Sequence, residues 1–352
     1  MTALTMSGTV NAQFRNPLAP ASFSDWVARN FVVTAGDPND PMYATMKGTG
    51  YDGVAALFIS HSDGNNYLCT GALLAGTFNV LTAAHCLSDV NGNNITTSVT
   101  SVFFTPGQPA TAREMIVSSA TYVNPMYTGE VIDAHDIAIV TLSALPSRGV
   151  QQSGYQLFSG GSPFQVGEFV GSGTTGTGST GGTAGGGFTL ADRRRALNRL
   201  DFDWSDPNFG GFFNGFFGAA DPTTLVADFD NGLPQNDASC RLTTLFFAGY
   251  CGLGQGQLEG ILGPGDSGGP MFINGQIAGV ASYGVTFRNL GDIDNVLNSS
   301  YGEFGGWTST QYNDAWLSPF ATVVPEPGSM ALVGAGLLGL FAAAKRRRVT
   351  LS

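Results

Sequence analysis

Charge is scarce in this chain: only 12% of its 352 residues are Asp, Glu, Lys or Arg, too few for long salt-bridged helices to dominate. Cations are scarcer still, with 15 Lys and Arg against 26 Asp and Glu. The resulting net charge of −11 excludes a nucleic-acid partner, whose phosphates demand a basic face. Arg193-Arg194-Arg195 is the one basic run in the main body, and it reads as a solvated turn. Metal-ligand spacing is also missing. There is no Cys-x-x-Cys, and His61, His85 and His135 stand at no ligand spacing from the cysteines, so neither metal nor cofactor is expected. From Met1 onward the usual basic stretch and long apolar segment of an export signal are not seen.

Glycine, by contrast, is abundant at 50 residues, which suits short strands and tight turns. The length allows one large or two ordinary domains with a proper core. Four cysteines, an even number, point to an oxidising compartment, and the local pairing Cys69–Cys86 with Cys240–Cys251 is the simplest framework. Each bridge would close a short loop and contribute ~3 kcal/mol.

Short apolar runs bounded by turn residues recur along the body. Val54 to Ile59 leads into His61-Ser62-Asp63-Gly64-Asn65-Asn66, a hairpin tip, and Tyr67-Leu68-Cys69 leads back, so His61 is expected as an exposed turn residue. Phe78 to Thr82, Val102 to Phe104 and Ile137 to Leu142 read as further strands. Met271-Phe272-Ile273, Asn274-Gly275 and Gln276-Ile277-Ala278 make the best hairpin signal in the chain. A helical period emerges only around Gln311 to Leu317, with Ser309 as cap. The fold class is therefore all-β, built from barrels or sandwiches with one late helix.

Residues 171–236 are the least regular. They open with GSGTTGTGSTGGTAGGG, which lacks the Lys of a phosphate loop and reads as a flexible surface loop. Asp228-Phe229-Asp230-Asn231-Gly232 is acidic but lacks the spacing and closing glutamate of a calcium loop.

The ends of the chain speak to location. Ala3 to Ala12 looks like the rear of an export signal, with Val10 and Ala12 at the positions a signal peptidase reads, so cleavage after Ala12 and an upstream start are expected. Val323-Val324-Pro325-Glu326-Pro327-Gly328 precedes an apolar run from Met330 to Ala344 and then Lys345-Arg346-Arg347-Arg348. The run falls short of the ~20 residues of an ordinary span but reaches across a thin bilayer with its flanks. The cationic end stays cytoplasmic, so the body faces outward. With its Pro325-Glu326-Pro327 motif this tail resembles the PEP-CTERM sorting signal of Gram-negative bacteria. The resemblance implies an exosortase-type partner, removal of the tail, transient membrane anchoring, and a final place on the outer surface or in the extracellular matrix.

Chemistry converges on three segments. A serine hydroxyl needs an imidazole to take its proton, and the imidazole needs a carboxylate to fix its tautomer. Leu81-Thr82-Ala83-Ala84-His85-Cys86, Asp136-Ile137-Ala138-Ile139 and Gly265-Asp266-Ser267-Gly268-Gly269-Pro270 supply these groups in that order. These segments resemble the signatures of the chymotrypsin-like (trypsin-like) serine proteases. The resemblance runs from about Gly53 to Phe320 and implies two antiparallel six-stranded barrels with a cleft between them. It makes His85 the general base and acid, Asp136 its orienting partner, Ser267 the nucleophile, and the N–H groups of Gly265 and Ser267 the oxyanion hole. It also places Cys69 and Cys86 where the family ties its histidine loop. His135, next to Asp136, is read as structural.

The implied substrate is a protein or peptide. Ile261, with Leu262 beside it, takes the place at the floor of the primary specificity pocket, and Ser282-Tyr283-Gly284 resembles the wall that pairs with extended substrate. Without a carboxylate at Ile261, apolar residues are favoured over Lys or Arg. The family's activating Ile-Val-Gly-Gly terminus has no counterpart near Gly36-Asp37-Pro38, which leaves the partner of Asp266 open. Residues 1–12 are thus a signal remnant, 13–45 an N-terminal extension, 46–150 and 151–320 the two barrels with the insertion 171–236, and 321–352 the sorting tail with its helix at about 329–344. Two other readings are a silent protease-like module for adhesion or matrix binding, and a serine esterase. Serine esterases of the Gly-x-Ser-x-Gly type normally place the histidine after the serine, whereas here His85 comes first.

Overall fold

A computed structural model of the chain describes residues 8–9, 33–105, 112–182, 193–287 and 289–321. Six strands in the first half close into a barrel: β1 (Val54–His61), β2 (Asn66–Leu73), β3 (Asn79–Thr82), β4 (Thr96–Phe104), β5 (Arg113–Val123) and β6 (Ala138–Leu142). Their order is β1-β2-β3-β6-β5-β4 and back to β1, which leaves no free edge. Along β1 the period of two is plain, with Ala55, Leu57, Ile59 and His61 buried and Ala56, Phe58 and Ser60 half-buried. β6 is buried on both faces at Ile139 and Val140, so trimming Ile139 to Ala would cost about 2–5 kcal/mol.

The second half contains β7 (Val166–Gly171), β8 (Arg194–Arg199), β9 (Leu225–Asp228), β10 (Pro270–Ile273), β11 (Gln276–Phe287) and β12 (Phe304–Ser309). They run in the order β8-β7-β10-β11-β12-β9, with Phe202–Asp203 added outside β9 and Gly8–Thr9 pairing with the far end of β11. The second closed barrel expected from the sequence is therefore a half-barrel. Leu200 and Asp201 carry the chain from one edge of the sheet to the other. The gap is bridged by side chain instead of ladder, Asn198 Nδ2 donating to Asp228 O at 2.6 Å and Gly260 O at 3.0 Å. A small sheet of Gly181–Gly182, Gly176–Thr177, Val33–Thr34 and Gly260–Ile261 lies alongside. The Asn274-Gly275 hairpin forms as expected, both residues taking positive φ between β10 and β11.

Among the described residues the α-helices are few: α1 (Arg148–Gln151), α2 (Ala238–Thr244) and α3 (Asp314–Ala321). Ser309 ends β12, and its Oγ accepts from Tyr312 N–H at 3.2 Å, so it caps the turn ahead of α3 and not the helix itself. Leu317 of α3 is buried in the core cluster of the closed barrel, which also takes in Val170, Phe272, Ile277 and Val280 of the half-barrel. The two halves thus meet in this cluster, while the half-barrel also keeps core clusters of its own.

Three local expectations are overturned. His61 is buried, with Nε2 3.0 Å from Cys86 O and its ring against Tyr67, because the turn starts one residue later. Arg193 is buried over the Phe104 ring, donating to Val54 O at 2.8 Å and lying 3.5 Å from Asp52, while Arg195 pairs with Glu168 at 2.6 Å. The triplet enters β8 and is no solvated turn. The first half of the glycine-rich stretch, 171–176, is buried as well. Val10, Ala12, Pro325, Glu326, Pro327 and the span 329–344 lie outside the described residues. Among the described residues no helix is long and apolar enough to cross a membrane.

Candidate active site

His85 sits in a single 3-10 turn, Ala84–Cys86, directly after β3. The disulfide Cys69–Cys86 ties that turn to β2, while Cys240–Cys251 closes the loop after α2. Asp136 lies two residues before β6, the neighbour of β3, so the pairing of these strands brings the two segments together. Its carboxylate grips His85 twice: Oδ1 accepts the backbone N–H at 2.8 Å, and Oδ2 lies 2.7 Å from Nδ1. A carboxylate only accepts, so Nδ1 carries the proton and Nε2 is left as the basic nitrogen. Nε2 is buried and has no hydrogen-bond partner. Ser282 Oγ donates to Asp136 Oδ2 at 2.5 Å, giving the carboxylate a third donor. His135 turns to Asp133, 3.3 Å away, and takes no part in this pair.

Ser267 reaches the same place from the half-barrel. Its carbonyl accepts Thr70 N–H at 2.8 Å and lies 3.8 Å from Cys86 Sγ, so the serine backbone is pinned against the histidine turn. The hydroxyl makes no hydrogen bond to Nε2, and such bonds commonly tighten only once substrate is bound. Gly265 and Gly268 have φ of 97° and 83°, the left-handed region that a side chain would resist. A Cβ at Gly268 would also meet Thr82 Oγ1 at 2.0 Å and Thr70 O at 2.3 Å. Around the turn, the amides of Gly263, Asp266, Gly268 and Gly269 all donate within the chain. Those of Gly265 and Ser267 have no acceptor among the described residues.

Asp266, which the sequence left without a partner, is held by backbone. Oδ1 accepts Gly173 N–H and Oδ2 accepts Gly263 N–H, each at 2.7 Å. Burial pushes its carboxyl up to about 7, against the pull of those two amides. The glycine-rich stretch supplies the cradle: a Cβ at Gly171 would lie 2.0 Å from Asp266 Oδ1, and one at Gly173 would lie 2.5 Å from the same atom. Sequence reading missed Gly171 and Gly173. The signal available was two glycines separated by one residue at the end of a strand.

The specificity residues are distributed less simply. Ile261 is buried against Val33 and Phe229, and Leu262 packs into the half-barrel core. Gly284 pairs with Gly305, where a Cβ would come 3.1 Å from Ile261. Tyr283 is fully buried, accepting Trp204 Nε1–H at 2.7 Å, so its side chain is committed to the core and lines no open surface. Cys69, His85 and Cys86 lie close together, but the two sulfurs are bonded to each other and offer no thiolate to a metal.

A closed barrel packed on a half-barrel is the chymotrypsin-like fold. Residues 47–186 match the trypsin family, a span that includes His85 and Asp136, and residues 323–348 match the PEP-CTERM protein-sorting motif. The structure titled HL collagenase superposes with a TM-score of 0.51 at 17% identity, covering 80% of this chain and 97% of that one. Neuropsin, a serine protease expressed in the limbic system of mouse brain, gives 0.49 at 17% identity, with 81% and 97% covered. No curated protein matches by sequence. Part of the chain is thus similar to the trypsin family, and its tail matches a PEP-CTERM motif, which indicates export sorting in Gram-negative bacteria.

Proposed function

We propose that this protein is an exported serine endopeptidase that cleaves peptide bonds through an acyl-enzyme. Ser267 Oγ attacks the scissile carbonyl, His85 Nε2 takes its proton and later returns it to the leaving amine, and Asp136 holds the imidazole and stabilises its charged form. The N–H groups of Gly265 and Ser267 receive the developing oxyanion. Water then enters by the same route and releases the acid.

One observation carries the reading: the doubly held His85–Asp136 pair leaves Nε2 without a partner, while the Gly265 and Ser267 amides beside Ser267 remain uncommitted. A silent adhesion or matrix-binding module would call for a collapsed oxyanion hole, and uncommitted amides speak against it. The amides on Asp266 support an active loop held without insertion of a new N-terminus. Apolar packing around Ile261 supports preference for apolar residues before the scissile bond. The sorting motif supports an exosortase-type partner, transient anchoring through about 329–344 and release at the cell surface.

Fluorophosphonate labelling of the wild type and Ser267→Ala, with casein and ester hydrolysis in parallel, tests the proposal. Labelling and casein cleavage that vanish in the variant are expected. An unlabelled wild type would overturn it, and a digest dominated by cleavage after Lys or Arg would overturn the specificity.

A further inference from the structure

We propose that Asp228, Asp230 and Asp237 form a divalent-cation site of the calcium type, built under the strand that leads to the serine loop. A carboxylate oxygen from each lies within 4.8 Å of the others, and each residue is only 3% exposed. Asp230 Oδ1 is buried without any hydrogen-bond partner, a costly condition for a carboxylate unless a cation meets it. Asp201 and Glu259 add two more buried carboxyl groups, and Arg199, a cation acting on Asp230, is already paired with Asp201 at 2.6 Å.

The donors are oxygens, with no imidazole, and the nearby Cys240 and Cys251 are bonded to each other. Such a set selects a hard cation over zinc or copper. The ligand arms are oriented by backbone. Ser239 N–H donates to Asp228 Oδ2 at 2.7 Å, and Asp237 accepts from Cys240 N–H at 2.7 Å and Gly252 N–H at 3.1 Å. At Gly254 a Cβ would collide with Glu259 and lie 2.7 Å from Asp230 Cβ, so glycine keeps the space open. The site is coupled to catalysis by short links. Asn198 joins Asp228 O to Gly260 O, and Glu259, which accepts Asp230 N–H at 2.9 Å, directly precedes the strand Gly260–Ile261. A bound cation would stiffen that strand and, through it, the loop to Ser267. The other acidic group, Asp292, Asp294 and Glu303, differs: Asp294 is exposed, and none of the group's carboxylate oxygens is buried without a hydrogen-bond partner as Asp230 Oδ1 is.

The test uses the full chain carrying Ser267→Ala, which prevents self-digestion, stripped with chelator and titrated with calcium chloride by calorimetry and thermal melting. One equivalent of calcium and a raised Tm are expected. Asp230→Asn should weaken binding about tenfold or more, since ligand charge tunes calcium affinity, and Asp294→Asn should leave it unchanged. If Asp230→Asn fails to fold, Asp237→Asn replaces it. No uptake and no Tm shift at about 10 mM calcium, beyond the weakest extracellular calcium modules, would overturn the proposal. Binding that survives Asp230→Asn or is lost in Asp294→Asn would overturn it as well.

Discussion

Adding one methyl group at Gly173 should damage both the stability of this protein and its reactive serine. The new Cβ would lie 2.5 Å from the carboxylate carbon, Oδ1 and backbone N of Asp266, and Asp266 is 1% exposed with nowhere to retreat. Overpacking of this kind costs about 1–3 kcal/mol. Separation of the two residues also breaks the 2.7 Å bond from Gly173 N–H and strands a buried carboxylate oxygen, about 1–3 kcal/mol more. Urea unfolding of Gly173→Ala in the Ser267→Ala background should therefore show a loss of roughly 2–6 kcal/mol. Because Asp266 stands between Gly265 and Ser267, its shift misaligns both amides. With Ser267 intact, fluorophosphonate labelling should slow by about 10²–10³, the cost of losing one oxyanion donor. Gly161→Ala is the control, since nothing lies within 4 Å of its Cβ position. If Gly173→Ala unfolds and labels like Gly161→Ala, the cradle around Asp266 is not what holds the serine loop.

Other perturbations separate the remaining roles. Ser282→Ala removes the buried 2.5 Å hydrogen bond to Asp136, worth about 1.5–3 kcal/mol for a charged acceptor, so kcat should fall roughly 10- to 100-fold with KM nearly unchanged; a pure KM effect would refute the positioning role. Asp136→Asn should lower kcat on the order of 10⁴, the magnitude known for the general template of this mechanism, while the fold persists by circular dichroism. Stability should also depend on pH through Asp266, whose carboxyl is raised by burial from 3.8 to about 7. Between those values the unfolded chain has released its proton and the folded one retains it, so stability is full below about 4 and declines as pH rises through about 7. Asp266→Asn should flatten that slope by about one proton, and an unchanged slope would place the titration elsewhere. Replacing Cys69 and Cys86 together with serine should cost ~3 kcal/mol and slow labelling, since the bridge spans 17 residues and holds the His85 turn.

Much of the closed barrel was legible because its strands alternate with a period of two and its hairpins carry their own turn residues, as at Asp63-Gly64, and the same turn signal marked the Asn274-Gly275 hairpin of the half-barrel. The His85, Asp136 and Ser267 segments were legible because each carries a local pattern of its own. What escaped was set by partners far away in the chain. Arg193 looked solvated because Asp52 is 141 residues distant, and His61 looked exposed because the Cys86 carbonyl that receives it is 25 residues on. The glycine-rich stretch looked flexible because Asp266, the group it encloses, is 93 residues from Gly173.

By itself, then, the sequence determined the β architecture and pointed to the candidate reactive groups, since both are written in spacing and residue type over a few neighbours. Tertiary structure decided which buried charges meet. It left the second sheet a half-barrel, wrapped Gly171 and Gly173 around Asp266, and gathered Asp228, Asp230 and Asp237 near Glu259. The physical reason is that a carboxylate's state depends on its desolvation and its partners, and both exist only after distant strands have packed.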